Sequence, residues 1–289
     1  MVESSGCPRC SCGPLVPGVR RSWGLGERLR ILVEFMRVVE NWYVLPVALF
    51  RRREGSPVNY ITRSGLKIKT RGWPVRVHLS DCYSIVENFG NKKDSLFRVL
   101  EPSDVVIDIG AHIGTFAVRS AKLAGRIMCF EPDPDNFAFL LDNLRQNSLG
   151  NANALMVAVA SDDGVRAMTP GLTKATGTIT PGGRGGFQVS TVSLQTAIEM
   201  SECEDIGLVK MDCEGAEYEI LGGASISTLR KVRRLFVELH YVPGMARMLS
   251  LSLVKLARAG FDVVWLDDGD LLAFRKESHG VSSKSIWVR

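Results

Sequence analysis

An acid-and-glycine segment, DIGAHIG (residues 108–114), directly follows an apolar run. Glycines at the carboxyl end of a strand let the backbone approach a ligand closely. The G-x-x-x-G spacing differs from the G-x-G-x-x-G pattern that binds a dinucleotide pyrophosphate. Asp108 would repel a pyrophosphate but could pair with an ammonium group, such as that of S-adenosylmethionine. The segment indicates a structural turn or a cofactor loop made of Asp108, Gly110, Ala111, His112 and Gly114.

A second acid follows the next apolar run, in the segment FEPD (residues 130–133). Glu131 lies some 20 residues after the glycines, where nucleotide-binding α/β folds carry an acid for the ribose hydroxyls. A surface acid is the alternative. Together with the glycine segment, Glu131 predicts a nucleoside cofactor, with Pro132 and Asp133 beside it. Val159, at the end of the predicted third strand, is also predicted to contact that cofactor.

A third group of acids, DCEGAE (residues 212–217), follows the run LVKM. Asp212 ends a strand at the ligand edge of the sheet, where the fourth strand adjoins the first at the crevice. Glu214 and Glu217 open the following helix, where acids also interact favourably with the positive helix N-terminus. Glu217 is therefore either a capping acid or a functional one.

The fifth predicted strand ends in VELH (residues 237–240). Residues i and i+2 of a strand share a face, so Glu238 and His240 point the same way. A single histidine at a strand end is often only hydrogen-bonded within the structure. Near Asp212 and Glu214, His240 becomes a candidate general base or metal ligand. We predict Asp212, His240 and Glu214 as the catalytic residues, and we assign no metal. Glu214 and Glu238 would orient the others or, as an alternative, bind a divalent metal through oxygen.

Strands alternate with helices from about residue 94. Predicted strands cover 105–109, 126–130, 155–159, 208–211, 235–239, 261–266 and 271–274, and predicted helices cover 115–123, 136–146 and 251–259. This alternation is typical of a mostly parallel sheet with helices on both faces. The tight turn at 267–270 predicts an antiparallel last strand. We expect an α/β, seven-stranded sheet, preceded by a helix and a small β element.

The region before that sheet has a different pattern. Residues 31–50 carry apolar side chains at helical spacing but are interrupted by charges and Pro46, so they do not suit a membrane span. A β-rich stretch is predicted over 58–79, with a hairpin turn at Ser64-Gly65. The Gly-rich residues 164–186 have no regular period and are predicted to be a lid or an insertion. Expected boundaries are a disordered leader (1–26), the helix and hairpin region (27–93), a catalytic domain (94–277) and a tail (278–289).

The chain has 289 residues, of which 45% are hydrophobic, as in ordinary globular proteins. Residues 1–76 hold 14 Lys/Arg and 5 Asp/Glu, a net charge of +9, which suits an anionic partner such as a membrane surface. Seven scattered cysteines favour free thiols in a cytoplasmic location over a disulfide framework. Cys7, Cys10 and Cys12 lack a fourth ligand for zinc.

These segments together resemble the FkbM family of S-adenosylmethionine-dependent O-methyltransferases. The resemblance rests on DVVIDIGAHIGTFAV, CFEPDPDNFAFLLDNLRQN, VKMDCEGAEYEIL and FVELHY, within residues 94–275. It implies a Rossmann-like class I methyltransferase fold. It further implies that Asp108, Gly110, His112 and Gly114 form the cofactor loop, and that Glu131 holds the ribose. Asp212, Glu214 and Glu217 would face the acceptor.

Cys213 stands where the family more often has a branched aliphatic residue. The N-terminal region is similar to that of archaeal-type members.

Several functions remain open. The resemblance favours a hydroxyl of a sugar, glycan or glycolipid as acceptor, with possible contact to an anionic membrane surface. A tRNA or rRNA methyltransferase would use the same cofactor crevice and suit the basic N-terminal region, although no nucleic-acid motif is recognisable. A nicotinamide-dependent dehydrogenase is disfavoured by the glycine spacing. A non-catalytic membrane-associated binding module is disfavoured by the acids at three strand ends. The oligomeric state is not predicted.

Overall fold

The computed structural model describes residues 25–50, 56–72, 74–91, 93–169, 178–180, 186–240, 242–266 and 270–275. Its N-terminal region contains, in chain order, α1 (Leu25–Val38), α2 (Val44–Phe50), β1 (Pro57–Ile61), β2 (Lys67–Arg71), α3 (Val75–Phe89) and α4 (Asp94–Arg98). The first helix thus begins two residues before the expected boundary at residue 27. The motif Cys7, Cys10 and Cys12 lies outside the described residues.

Strands and helices alternate through the rest of the chain. In order they are β3 (Val105–Ile109), α5 (Thr115–Ser120), β4 (Arg126–Phe130), α6 (Pro134–Gln146), β5 (Ala152–Leu155), β6 (Ala158–Ala160), β7 (Gly164–Thr169), β8 (Thr178–Thr180), β9 (Phe187–Ser193), α7 (Leu194–Met200), β10 (Leu208–Met211), α8 (Glu217–Gly223), α9 (Ile226–Arg230), β11 (Arg234–Val237), α10 (Ala246–Ala259), β12 (Phe261–Trp265) and β13 (Leu271–Arg275).

The main sheet has seven strands in the order β12-β13-β11-β10-β3-β4-β5. The four neighbouring pairs from β11 to β5 are parallel, and β13 runs antiparallel to both β11 and β12. The predicted Rossmann-like sheet with an antiparallel last strand is confirmed. Because β10 lies between β3 and β11, the ends of the strands that carry Asp108, Asp212 and His240 meet at one edge. That edge positions the candidate site.

The N-terminal hairpin is present, and β1 pairs with β2 antiparallel around Gly65, whose φ is +79°. The prediction of a β-rich stretch up to residue 79 is wrong at its end, because residues 75–89 form α3. Pro74 precedes that helix, and the buried residues Val77, Cys82 and Ile85 recur at helical spacing. Proline is well tolerated at the start of a helix, so it marks the change from strand to helix.

The predicted N-terminal helix over residues 31–50 is divided into α1 and α2 by a turn. Asn41 in this turn accepts a hydrogen bond from the backbone N–H of Ile61 at 2.8 Å and donates one to the carbonyl of Asn59 at 3.0 Å. The turn therefore joins the helices to the hairpin. Pro46 stands in the first turn of α2, where its missing N–H costs little. No helix among the described residues has the length and hydrophobicity to cross a membrane.

A second sheet, in the order β6-β9-β7-β8, was not predicted. The apolar run 155–159 is divided between two sheets, because Leu155 pairs with Phe130 in the main sheet whereas Ala158–Ala160 pair with β9. The prediction of a single third strand there is therefore wrong. Regular strands also occupy parts of the Gly-rich residues 164–186, contrary to prediction. Residues 170–177 and 181–185 of the predicted lid lie outside the described part.

The core lies on both faces of the main sheet. One cluster of buried side chains joins the N-terminal elements to the sheet and includes Phe35, Tyr60 and Phe116. Because these residues come from α1, β1 and α5, the N-terminal region packs directly on the sheet. The predicted helix at 115–123 ends earlier, at Ser120, and turns connect it to β4. Cys82 and Cys129 are buried free thiols.

Candidate functional site

The glycine segment forms a tight connection between β3 and α5. Gly110 has a φ of +75°, and a Cβ at this position would lie 2.0 Å from the carbonyl oxygen of Asp212. Its N–H and that of Ala111 donate to the carbonyl of Phe130 at 3.0 and 3.1 Å. At Gly114, with φ +84°, a Cβ would lie 2.5 Å from Leu140. The missing side chains thus allow the loop to lie against its neighbours and bring the ends of β3, β4 and β10 together.

Glu131 is buried at the end of β4 and accepts three hydrogen bonds. The donors are the N–H of His112 at 2.7 Å, the N–H of Asp133 at 2.9 Å and the side-chain amide of Asn136 at 3.1 Å. A carboxylate offers about four acceptor positions, so about one remains for a ligand hydroxyl. Burial outweighs these hydrogen bonds and raises the pKa of Glu131 to about 7.

Two residues of the N-terminal region complete this side of the site, and neither was predicted. The guanidinium of Arg71 forms an ion pair with Asp81, donates to Asn136 Oδ1 at 2.6 Å and lies 2.8 Å from His112 Nε2. Because a guanidinium can only donate, His112 Nε2 is the acceptor. Burial lowers the pKa of His112 to about 4, which agrees with a neutral ring. Arg71 therefore supports two of the three residues that donate to Glu131, His112 and Asn136.

Asp108 does not face an open pocket. It is fully buried, and the ammonium of Lys210 lies 3.1 Å from its Oδ1. The two residues are register partners on β3 and β10, which accounts for their contact. Burial raises the pKa of Asp108, and the positive charge of Lys210 opposes that effect. Lys210 also donates to the carbonyl of Gly110 at 3.0 Å. The ammonium that faces Asp108 in the structure is thus the protein's own.

Asp212 follows β10 and lies near two ammonium groups. Its Oδ2 is 3.5 Å from Lys210 Nζ and 3.9 Å from Lys93 Nζ. Burial alone would raise the pKa of Asp212, but the charges of Lys210 and Lys93 outweigh it and lower that pKa well below its usual value. Asp212 therefore stays ionised and is suited to accept a hydrogen bond rather than to remove a proton.

His240 is held by Glu217, which lies at the start of α8. Its Nδ1 lies 3.0 Å from Glu217 Oε1 and donates to it, since a carboxylate only accepts. Glu217 also accepts from the N–H groups of Cys213 at 2.8 Å and Gly215 at 2.9 Å, so it both caps the turn and orients the histidine. Burial alone would lower the pKa of His240, but Glu217 raises it to about 10.

The other ring nitrogen of His240, Nε2, is buried and has no hydrogen-bond partner among the described residues. It lies 3.5 Å from Glu214 and 3.8 Å from Asp212. The structure thus brings together the three residues predicted to face the acceptor. An imidazole nitrogen that faces two carboxylates without bonding to either is placed to exchange a proton with a bound molecule.

The remaining predicted cofactor residues differ in their surroundings. Asp133 caps α6, because its side chain accepts from the N–H groups of Asp135 and Asn136 at 2.9 and 3.0 Å. Ala111 is buried in the loop, and Pro132 lies between Glu131 and Asp133. Val159 lies in β6, outside the main sheet, and belongs to the buried cluster that contains Phe130.

Residues 108–263, more than half of the chain, match the family model described as the methyltransferase FkbM domain. The chain is 32% identical over 145 residues to the hexuronic acid methyltransferase AglP of Haloferax volcanii, and this match covers 50% of the chain and 59% of AglP. The chain therefore spans less than two thirds of the length of that relative.

Two further proteins are similar to the chain. It is 29% identical over 220 residues to the 31-O-demethyl-FK506 methyltransferase FkbM of Streptomyces tacrolimicus, with 64% of the chain and 82% of the relative covered. A solved structure of methyltransferase FkbM from Methylobacillus flagellatus superposes with a TM-score of 0.44 at 16% identity. That superposition covers 67% of this chain and 53% of the other.

The contact between Gly110 and the Asp212 carbonyl yields a first prediction. Gly110→Ala should lower the free energy of unfolding by about 2 kcal/mol or more, because left-handed backbone costs an L-residue about 1–2 kcal/mol and the added Cβ also meets a carbonyl. Denaturant unfolding followed by circular dichroism measures the change. Gly150→Ala is the control, since nothing lies within 4 Å of that position. Equal stability of the two variants would contradict this description of the loop.

The raised pKa of Glu131 yields a second prediction. Affinity for S-adenosylmethionine should increase as the pH rises through about 7, because the ionised carboxylate is the stronger acceptor and the cofactor is cationic. Glu131→Gln should weaken binding at pH 8 by about tenfold, which corresponds to one charge-assisted hydrogen bond, and should remove this pH dependence. Calorimetric titration from pH 6 to 8 measures both effects. Asp135→Asn, at an exposed neighbouring acid, should keep the wild-type profile. Persistence of the pH dependence in Glu131→Gln would exclude this role.

Proposed function

Because the chain belongs to the FkbM family of methyltransferases, as its motifs predicted, we propose that it transfers a methyl group from S-adenosylmethionine to a hydroxyl of a sugar. The acceptor sugar would be part of a glycan or glycolipid. AglP, which resembles one half of the chain, is named for a hexuronic acid. That relationship supports a sugar acceptor. The direct test measures methyl transfer by the purified protein from S-adenosylmethionine to a uronic acid or a neutral sugar. tRNA is tested as the alternative acceptor.

The observation that carries the proposal is the hydrogen-bonded pair of the half-buried His240 and the buried Glu217. Methyl transfer to oxygen is an in-line displacement, so the protein must position the hydroxyl and receive its proton. The sulfonium leaving group needs no acid. Glu217 fixes the orientation of the His240 ring and leaves its Nε2 without a hydrogen bond. This arrangement suits His240 for the role of general base. In this mechanism Nε2 takes the proton while the ionised Asp212 accepts a hydrogen bond from the acceptor.

The cofactor is proposed to bind at the adjacent strand ends. Glu131 retains about one acceptor position for a ribose hydroxyl, and the loop 110–114 lies between Glu131 and Asp212. The cationic methionine part would lie near the acids of this edge. Asp108 is paired with Lys210, so any interaction with the cofactor ammonium would compete with an internal ion pair. The carboxylate of Asp212, which is the more exposed of the two acids, is the better candidate for that contact.

The pKa of His240 yields a third prediction. With a pKa of about 10 the ring is protonated at neutral pH in the free protein, so turnover should increase with pH as the neutral base form appears. Glu217→Gln removes the negative charge that raises this pKa and should move the ascending limb of the profile to lower pH by about one unit or more. Steady-state rates between pH 6 and 10 measure the shift.

The control for this profile lies two residues along the same helix. Glu219 forms an ion pair with Arg166 and makes no contact with His240, so Glu219→Gln should leave the profile unchanged. His240→Asn should lose about 10²-fold or more in turnover, which is the usual contribution of a general base. A Glu217→Gln profile that coincides with the wild type, or full activity of His240→Asn, would refute the mechanism.

We also propose that the N-terminal helices associate with an anionic membrane surface that presents the acceptor. One stripe of α1 packs into the core through Phe35, while Leu29, Leu32 and Val33 form a second, exposed apolar stripe at helical spacing. Trp42 and Tyr43 are also exposed in the turn that follows. The exposed arginines of α1 and the net charge of +9 over residues 1–76 complement anionic lipid.

This stripe yields a fourth prediction. The triple variant Leu29→Ser, Leu32→Ser, Val33→Ser should lose most binding to vesicles of phosphatidylglycerol, because it removes the apolar surface that would enter the interface. Increasing salt should weaken wild-type binding by screening the arginines. Co-sedimentation measures both effects. The matched control is the double variant Leu251→Ser, Val254→Ser, which removes similarly exposed apolar side chains from α10. If both variants and the wild type sediment alike, the membrane proposal fails.

A further inference from the structure

Lys93 is a buried cation that the N-terminal region contributes to the acceptor side of the site. It immediately precedes α4 and is 3% exposed. Its Nζ donates to Glu238 Oε2 at 3.0 Å and lies 3.9 Å from Asp212 Oδ2. The ring of Phe236 lies 5.5 Å from the same atom. Lys93 lies outside residues 108–263, so the family model does not include it.

The acids next to Lys93 belong to a group with the spacing of a metal centre. Asp212, Glu238 and His240 each offer a ligand atom, and these atoms lie within 4.8 Å of one another. Two carboxylates and an imidazole are a set that divalent metals bind readily. Lys93 Nζ contacts the first two members of this group. An ammonium therefore lies where a divalent cation would bind those carboxylates.

Charge balance explains why a cation is needed at this position. Two acids at this edge, Asp108 and Glu217, are fully buried, and three more beside them, Asp212, Glu214 and Glu238, are half-buried. A buried carboxylate is stable only when it is paired or hydrogen-bonded. Among the described residues, Lys210 and Lys93 are the ammonium groups that form ion pairs here. Burial alone would lower the pKa of Lys93, but the charges of Glu87 and Glu238 outweigh it and raise that pKa, so the group stays protonated.

We infer that Lys93 takes the place of a divalent cation in this site: its ammonium fixes Asp212 and Glu238 for the acceptor, and its removal creates a metal site from Asp212, Glu238 and His240. The inference rests on the proposed function for the role of these residues toward the acceptor. Lys93 is thus a positioning residue, and the wild-type reaction proceeds without an added divalent metal. The creation of a metal site can be tested without any acceptor.

The test compares wild type with Lys93→Met, which keeps the length of the side chain and removes the charge. We expect wild type to keep full activity in EDTA and to bind Mn²⁺ weakly. Lys93→Met should bind Mn²⁺ with a Kd of about 100 µM or tighter by calorimetry, and it should lose about 10²-fold in kcat while the Kd for S-adenosylmethionine changes less than about threefold. Mn²⁺ should not restore that activity, because the metal would occupy His240 Nε2, the proposed base. Lys231→Met, at a lysine that pairs with Glu204 on the surface, should behave as wild type.

The opposite results would overturn the inference. Loss of wild-type activity in EDTA with recovery in Mg²⁺ would show that a metal binds beside Lys93. Weak Mn²⁺ binding by a folded Lys93→Met variant would show that the three side chains cannot form a metal site. If Lys93→Met does not fold, the double variant Lys93→Met, Glu238→Gln restores the charge balance, and its activity must remain low. If no sugar is methylated by wild type, the proposed function fails, whereas the Mn²⁺ titrations still decide the inference about Lys93.

Discussion

The pairing of buried acids with buried cations is the constraint on which the site depends. Asp108 lies in β3, and Asp212 and Glu238 directly follow the adjacent strands β10 and β11, so all three acids lie at the carboxyl edge of the main sheet. A carboxylate held away from water needs a nearby cation or hydrogen-bond donors. Lys210 supplies one from within the sheet, and Lys93 supplies the other from the N-terminal region. These two ammonium groups lower the pKa of Asp212 and keep that carboxyl ionised.

The N-terminal region takes part on both sides of this edge. Arg71, paired with Asp81, contacts the loop at His112 beside Glu131, whereas Lys93 contacts Glu238 and lies near Asp212. The same region contributes Phe35 and Tyr60 to the core that covers one face of the sheet. Packing and electrostatics therefore depend on the same segment. The helix, hairpin and α3 form one body with the sheet, and they also present the exposed apolar stripe on α1.

The sheet was predicted well, and candidate acids at its edge could be identified, because both depend on local patterns. Apolar runs identified most strands, and the alternation of side chains brought Glu238 and His240 onto one face. The contact of Lys210 with Asp108 depends on the register between β10 and β3, which the pattern within one strand does not predict. Arg71 and Lys93 could not be found in this way, since their contacts join residues far apart in the chain. The second sheet was missed because β6 and β8 have only three residues each and because β7 and β8 lie within the Gly-rich residues 164–186.

The contacts of Arg71 and Lys93 have a consequence for how such a domain can be inherited. The match to the family model begins at residue 108. Two of the charged groups that contact the candidate site, Arg71 and Lys93, lie before that residue. A recombination event that joined residues 108–263 to another protein would transfer the acids together with Lys210 but would leave Arg71 and Lys93 behind. Residues 108–263 therefore do not contain every charged group that this edge uses. A fragment that retains Arg71 and Lys93 must also include β2 and α3, so the history of this chain is recorded in its N-terminal region as well as in its sheet.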